Sequence, residues 1–399
     1  MKPALALLGL LLPALAAAQP GMGQGGTRIE PGQECPPNMT EIRPRLCQAP
    51  TLPTPSILDY RPRNTLVAAE HLVPRAKYPA IDYHGHPTGQ QLGSAEGLNG
   101  LADDLDRIGV RVIVAANNVR GEGLTRQAGL AAANPRMRDR IRFLTGIDFT
   151  GAGSPGWAER TIAALEADAK AGAVGIGEIG KGFGLSNKKA DGTRLAIDDP
   201  ILDPVWAAAA RLKLPVFIHT ADPQEFWETI DYKNERWLEL ALFPGRRYDP
   251  AVVPTFEALN QERDRMVRRN PRTTFVLAHM SWYANDLPRL SRMMDEMPNT
   301  LVEVGAVLYD IGRQPRAMHD FFVKYQDRIL FGKDSFQPEE YPYYWRVFET
   351  RDDYFDYYRD YHASWKLYGI DLPDEVLKKV YYRNALRITP GIPQDGWPR

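Results

Sequence analysis

Charge of one sign is missing from this 399-residue chain: 49 lysines and arginines face 50 aspartates and glutamates, for a net charge of −1. That balance gives no global attraction to nucleic acid or to an anionic membrane surface. Cysteine is nearly absent. Two residues in a chain this long cannot build a disulfide scaffold or an all-thiolate metal site. Beyond the amino terminus no apolar run approaches the roughly 20 residues that a membrane-spanning helix requires. The 33 glycines and 33 prolines are scattered, without a G-X-Y period or a dinucleotide-binding glycine fingerprint, which argues against fibrous and doubly wound architectures. Apolar and charged fractions of 44% and 25% argue against a disordered chain. A globular protein remains, of one large domain or two ordinary ones.

The first 18 residues read as a cleaved secretory signal. Lys2 supplies the positive charge, Ala4 to Ala17 an apolar run, and Ala16-Ala17-Ala18 the small residues before the cut. A secreted or periplasmic protein is therefore expected. Residues 19–78 read as a leader outside the main fold. In an oxidising compartment Cys35 and Cys47 are expected to pair, and closing so short a loop contributes about 2–3 kcal/mol by restricting the unfolded chain. Asn38-Met39-Thr40 fits the glycosylation pattern, which bears on the protein only in a eukaryotic host.

From residue 79 to 399 short apolar runs alternate with longer segments of helical periodicity. The spacing predicts strands over Ala80–His86, Val110–Ala116, Arg140–Ile147, Val174–Ile179, Leu214–His219, Thr273–His279, Thr300–Gly305 and Arg328–Asp334. Helices are expected over Leu98–Ile108, Gly123–Ala133, Trp157–Lys170, Ile201–Arg211, Val253–Arg269, Asn285–Met297 and Pro315–Gln326. Eight such alternations are the count of an α/β fold of the (β/α)8 TIM-barrel type, here with long βα loops.

Histidine carries the chemical signal. Of seven, His84 and His86 stand two apart at the end of the first predicted strand, so both imidazoles leave it on one face. His219 ends the fifth strand and His279 the sixth, while Glu178 closes the fourth and Asp334 the eighth. A single histidine at a strand end is usually a hydrogen-bonded core residue, and a lone carboxylate there is usually a cap. Six such residues on five strands, all at the carboxyl ends where a barrel keeps its active site, point instead to a metal site of imidazole and carboxylate ligands. His71, His319 and His362 fall outside the pattern and read as surface or structural.

This ordered set resembles the amidohydrolase superfamily, more narrowly its amidohydrolase-related branch, over Ala80 to about Thr389. Ile197-Asp198-Asp199-Pro200, His219-Thr220-Ala221-Asp222-Pro223, Ala278-His279-Met280 and Asp327-Arg328-Ile329-Leu330-Phe331-Gly332 support the narrower branch. The resemblance implies one or two divalent ions per chain, with zinc the expected metal, and hydrolysis of a C–O, C–N or P–O bond in a small molecule by activated water. Some relatives are instead non-oxidative decarboxylases, which is the alternative reaction. His84, His86, Glu178, His219, His279 and Asp334 are the implied metal ligands, with Asp334 and His279 as acid–base groups. Many relatives carry Lys where Glu178 stands, so a bridging role for Glu178 stays open, and Lys181 is either the displaced equivalent or a substrate contact. Gly332-Lys333-Asp334 departs from the usual Gly-Thr-Asp without an expected change in chemistry.

Substrate specificity is expected from the loop after His219, where Trp227 and Arg236 are candidate contacts together with Lys181. Phe336 to Tyr368 holds 13 aromatics in 33 residues, either a lid over the substrate or an extra helix in which Tyr354, Phe355, Tyr357 and Tyr358 pack on the barrel. A non-catalytic binding barrel would show a broken ligand set, and here all six positions carry competent side chains. A homodimer is left open.

Overall fold

The computed structural model describes residues 26–399. The expected signal over residues 1–18 lies outside them. Two compact units divide the chain, one ending at Val67 and the other spanning Ala68–Arg399.

The first unit contains β1 (Thr27–Arg28), β2 (Thr40–Arg43) and β3 (Leu46–Gln48), paired antiparallel in the order β1-β3-β2. Sequence pattern gave no hint of these strands. They are two to four residues long, and β1 and β2 are exposed at every position, so no alternation of apolar residues could mark them. Cys35 and Cys47 are joined in a disulfide across 12 residues of sequence, with Cys47 fully buried.

The second unit is the barrel. Its strands are β4 (Ala80–His86), β5 (Val110–Ala115), β6 (Ile141–Thr145), β7 (Ala173–Ile179), β8 (Val216–Ile218), β9 (Phe275–Leu277), β10 (Thr300–Glu303), β11 (Ile329–Leu330) and β12 (Asp334–Ser335). Each pairs parallel with the next, up to β11 on β10. The eighth barrel strand is broken in two: β11 pairs with β10, and β12 pairs with β4 through Asp334 opposite Gly85 and Ser335 opposite His86. That pairing closes the ring.

Alternation along β4 shows why the site points inward. Asp82, His84 and His86 share one side of the strand, while Ile81 and Tyr83 are fully buried on the other. The Tyr83 hydroxyl meets Thr389 Oγ1 at 2.9 Å, tying the strand to the carboxyl-terminal helical turn. The long helices wrap the outside at the expected places: Ala95–Ile108, Gly121–Ala133, Trp157–Lys170, Asp203–Leu212, Phe256–Arg269, Leu287–Glu296 and Pro315–Lys324. Ser94 caps the first by accepting from Gly97 N at 3.0 Å, and Gly109 ends it at φ 82°, a conformation that favours glycine. Each fully buried leucine or isoleucine on these inner faces contributes about 1.5–3 kcal/mol.

The aromatic stretch differs from the expected extra helix. Its helix is Tyr341–Glu349, which buries Tyr341, Tyr344, Trp345, Val347 and Phe348. Residues Tyr354 to Tyr358 are not helical. Thr350 ends the helix: its hydroxyl donates to Arg346 O at 2.8 Å and accepts from Asp352 N at 3.1 Å. Beyond it the chain is irregular, with one antiparallel bridge between Phe355 and Leu367.

Candidate metal centre

At the carboxyl ends of the strands, six side chains from β4, β7, β12 and the turns after β8 and β9 converge. His84 is fully buried, and its Nδ1 lies 2.9 Å from Glu303 Oε2. A carboxylate can only accept, so Nδ1 carries a proton, and in the neutral imidazole that a metal would require Nε2 presents a lone pair. That Nε2 is buried without a hydrogen-bond partner. It faces Glu178 Oε2 at 3.4 Å and Asp334 Oδ1 at 4.0 Å. His86 Nε2 lies 3.3 Å from the same Glu178 oxygen and 3.7 Å from Asp334 Oδ1.

The other Glu178 oxygen serves a second group. Oε1 lies 2.8 Å from His219 Nδ1 and 3.8 Å from His279 Nε2, and these two nitrogens are 3.3 Å apart. His279 Nδ1 is 2.8 Å from the carbonyl of Gly305, again an acceptor, so its Nε2 also points a lone pair inward. His84, Glu178 and His279 on one side, and His84, His86 and Asp334 on the other, bring ligand atoms within 4.8 Å of one another. Lone pairs and carboxylate oxygens crowded together need a cation between them, and nitrogen with oxygen donors suits a divalent ion such as zinc. The residues fit a metal.

The electrostatics carry the same mark. Burial pulls His84 down, but the Glu178 and Glu303 carboxylates outweigh it and hold the imidazole well above its usual range. Burial raises Glu178, yet His84 and His219 drive it well below the ordinary carboxylate range. His219, lowered by burial and raised more by Glu178 and Asp222, sits at about 9. For His279 the pull of Asp334 and Glu303 is outweighed. Burial, then His219 and His84, lower it to about 4.

Local backbone aims two of these residues. Gly332 passes so near Glu303 and His84 that a Cβ there would run into both. Residues 279 to 282 all have positive φ, between 49° and 60°, a left-handed turn that costs side-chain-bearing residues roughly 1–2 kcal/mol each. It presents His279 and Trp282 together, with ring centroids 4.5 Å apart.

The other expected contacts spread out. Lys181 Nζ donates to Asp222 Oδ2 at 2.7 Å and is about half exposed. Trp227 Nε1 donates to Pro254 O at 3.0 Å, and its ring lies 4.4 Å from that of Tyr248. Arg236 is buried, paired with Glu239 at 2.7 Å and stacked 4.3 Å above the Tyr309 ring. Lys333 turns away from Asp334, toward Ser335 and Glu340. His71 bonds Asp352, and His319 Nδ1 donates to Ile370 O at 2.7 Å. His362 is buried rather than on the surface.

Sequence reasoning missed three carboxylates around this centre. Glu303 orients His84, and Asp82 accepts from the backbone of His84 at 3.0 Å and of Lys333 at 3.1 Å. Asp222 stands 3.5 Å from His219 Nε2 and accepts from the Tyr248 hydroxyl at 2.6 Å. Glu303 closes β10 just as Glu178 lies near the end of β7, so the strand-end rule could have found it.

The family model described as Amidohydrolase matches residues 81–389. A search of curated protein sequences finds no match. Among solved structures, an uncharacterized TIM-barrel protein of Bordetella bronchiseptica is 16% identical, with 79% of this chain and 99% of that one covered at a TM-score of 0.50. The 4-oxalomesaconate hydratase of Rhodopseudomonas palustris is 14% identical, covering 78% and 96%, at 0.45. The 5-carboxyvanillate decarboxylase of Sphingomonas paucimobilis is 15% identical, covering 79% and 99%, at 0.42.

Proposed function

We propose, from the premise that this chain belongs to the amidohydrolase family, that it is a metal-dependent hydrolase cleaving a C–O, C–N or P–O bond in a small molecule. One observation carries the reading: the two oxygens of Glu178 face two separate groups of ligand atoms. A carboxylate so placed suits a bridge between two ions. His84, His86 and Asp334 would hold one, and His219 with His279 the other, zinc being the expected metal. Bound there, a divalent ion lowers the pKa of a water ligand toward neutrality and polarises the scissile bond.

The chain's own groups do the rest. Asp334, more exposed than Glu178, takes the proton from the attacking water and passes it to the leaving group. Glu303 keeps His84 in the tautomer that presents Nε2. Gly305 O does the same for His279. Where only one ion binds, His279 is the free acid–base partner. At the mouth, the Lys181 ammonium is a substrate contact held in place by Asp222, and Arg236 and Trp227 shape the loop that receives the substrate.

Metal analysis of purified protein, run beside a panel of esters, lactones, amides, phosphoesters and aromatic carboxylates, tests this. Two ions per chain and hydrolysis abolished in Glu178→Ala are expected. One ion and release of CO2 would replace hydrolysis by decarboxylation.

The disulfide fits an oxidising compartment, and we place the mature protein in the periplasm or outside the cell. A mature amino terminus just after Ala18 in the secreted fraction is the expected result. No helix among the described residues is long and apolar enough to cross a membrane.

A further inference from the structure

A pocket enclosing about 570 Å³ opens at the end of the barrel opposite the candidate metal centre. Pro215 and Thr274 in its lining directly precede β8 and β9, whereas the candidate metal ligands gather at the carboxyl ends of the strands. The helix Asp203–Leu212 forms one wall, and the helical turns that end at Ile388 form another. The volume falls within the roughly 300–1,000 Å³ usual for small-molecule sites.

Three cationic side chains line this space, Lys213, Arg272 and Arg387, and no aspartate or glutamate does. Among the described residues no carboxylate pairs with any of the three, and the side chains of Lys213 and Arg272 make no hydrogen bond. Arg387 reaches only the uncharged carbonyl of Asp327. Their neighbours along the chain behave otherwise. Arg211 pairs with Glu166 at 2.5 Å, Arg269 with Asp203 at 2.7 Å, Lys379 with Asp327 at 2.8 Å and Arg383 with Glu375 at 2.6 Å. Positive charge on this part of the surface is balanced pair by pair, except where it lines the pocket.

The helix ends do not cancel the excess. Two helical segments finish beside the pocket, at Leu212 and Ile388, and each end carries roughly half a negative charge. Together they offset about one of the three positive charges and leave about two. The two guanidinium groups stay charged, and their forked donors match the paired oxygens of a carboxylate, sulfonate or phosphate. Pro215, Leu386 and Ile388 add apolar wall, which a bare inorganic ion would leave in contact with water.

We propose that this pocket is a binding site for a small organic dianion with an apolar body, separate from the metal centre. The site depends on neither the hydrolase reading nor a bound metal.

Calorimetric titration of the metal-loaded protein with meta-benzenedisulfonate tests it. Inorganic sulfate supplies the charge without the body, benzyl alcohol the body without the charge, and benzyltrimethylammonium the opposite charge. The disulfonate is expected to bind most tightly, sulfate more weakly, and the other two not at all. Arg272→Ala and Lys213→Ala should each weaken disulfonate binding about tenfold. Arg272→Lys, which keeps the charge and loses the fork, should weaken it less. Metal content should be the same in all three variants. Absence of disulfonate binding overturns the proposal, as does binding of any of the other probes as tight as that of the disulfonate. Affinity indifferent to both alanine variants also overturns it, by placing the anion elsewhere. Arg272-dependent binding in a protein that hydrolyses nothing leaves this site standing and removes the hydrolase reading, and ester hydrolysis without disulfonate binding does the reverse.

Discussion

Glu303 holds His84 by one hydrogen bond of 2.9 Å in a fully buried setting. Such outer partners fix ring orientation and raise ligand basicity, and losing one typically lowers metal affinity 10–100-fold. Glu303→Ala is therefore expected to weaken metal binding by about that factor, read by competition with a chelator of known affinity. An unchanged affinity would show that His84 needs no such support. The residue also marks a limit of sequence reading. Residue type and strand-end position single out Glu178 and the four histidines. The same rule reaches Glu303 at the end of β10, but which imidazole its carboxylate turns toward is settled across the barrel, between β10 and β4, and no local pattern encodes that. Trp227 illustrates the converse: its aromatic type and loop position made it a candidate contact, while its indole N–H is spent on Pro254 O.

Among elements, the barrel strands and outer helices were legible because each buries one face, which imposes period two or 3.6 on the apolar residues. Segments without a buried face were not. The three leader strands are short and mostly exposed, and the turn at His279 to Trp282 is held by its surroundings against backbone preference. The irregular run after Tyr341–Glu349 is fixed partly by charge. Asp352 is buried, accepting from His71 N at 2.8 Å, His71 Nδ1 at 2.5 Å and Arg346 Nε at 2.8 Å. Burial alone would raise it, but these donors, His71 foremost, hold it below the ordinary carboxylate value. A depressed carboxylate stabilises the fold above its unfolded pKa, and that contribution fades as pH falls through the native value. Asp352→Asn should therefore cost about 1.5–3 kcal/mol at neutral pH and less near pH 3, where the unfolded carboxylate, with a pKa of about 3.9, is already mostly protonated. Urea unfolding at the two pH values measures this, and an equal loss at both would refute the charge argument.

On the scale of the whole molecule, candidate ligands from β4, β7, β12 and the turns after β8 and β9 meet in one place, so a metal bound there would stabilise the ring that brings them together. Free metal at about a hundred times its dissociation constant adds about 2.7 kcal/mol per site. Thermal unfolding with and without chelator should show a metal-dependent rise of several degrees, and a midpoint indifferent to metal would mean that the cluster holds none. The leader is a separate matter, since every ligand lies in the second unit. Replacing Cys35 and Cys47 by serine should destabilise the three-stranded sheet by about 2–3 kcal/mol, seen as faster proteolysis before Val67, while metal content and turnover hold.

On the proposed two-ion reading, Glu178, with one oxygen toward each group of candidate ligands, would make the two positions thermodynamically linked. Whatever occupies one neutralises part of the charge that the other relies on and fixes the carboxylate's rotation for both. Loading is then a coupled equilibrium, and by reciprocity the first ion changes the affinity for the second by the same factor as the second changes that for the first. A protein purified under metal scarcity would not be a diluted form of the fully loaded one. Under that reading it would be a different species, with His279 released from the ligation proposed for it.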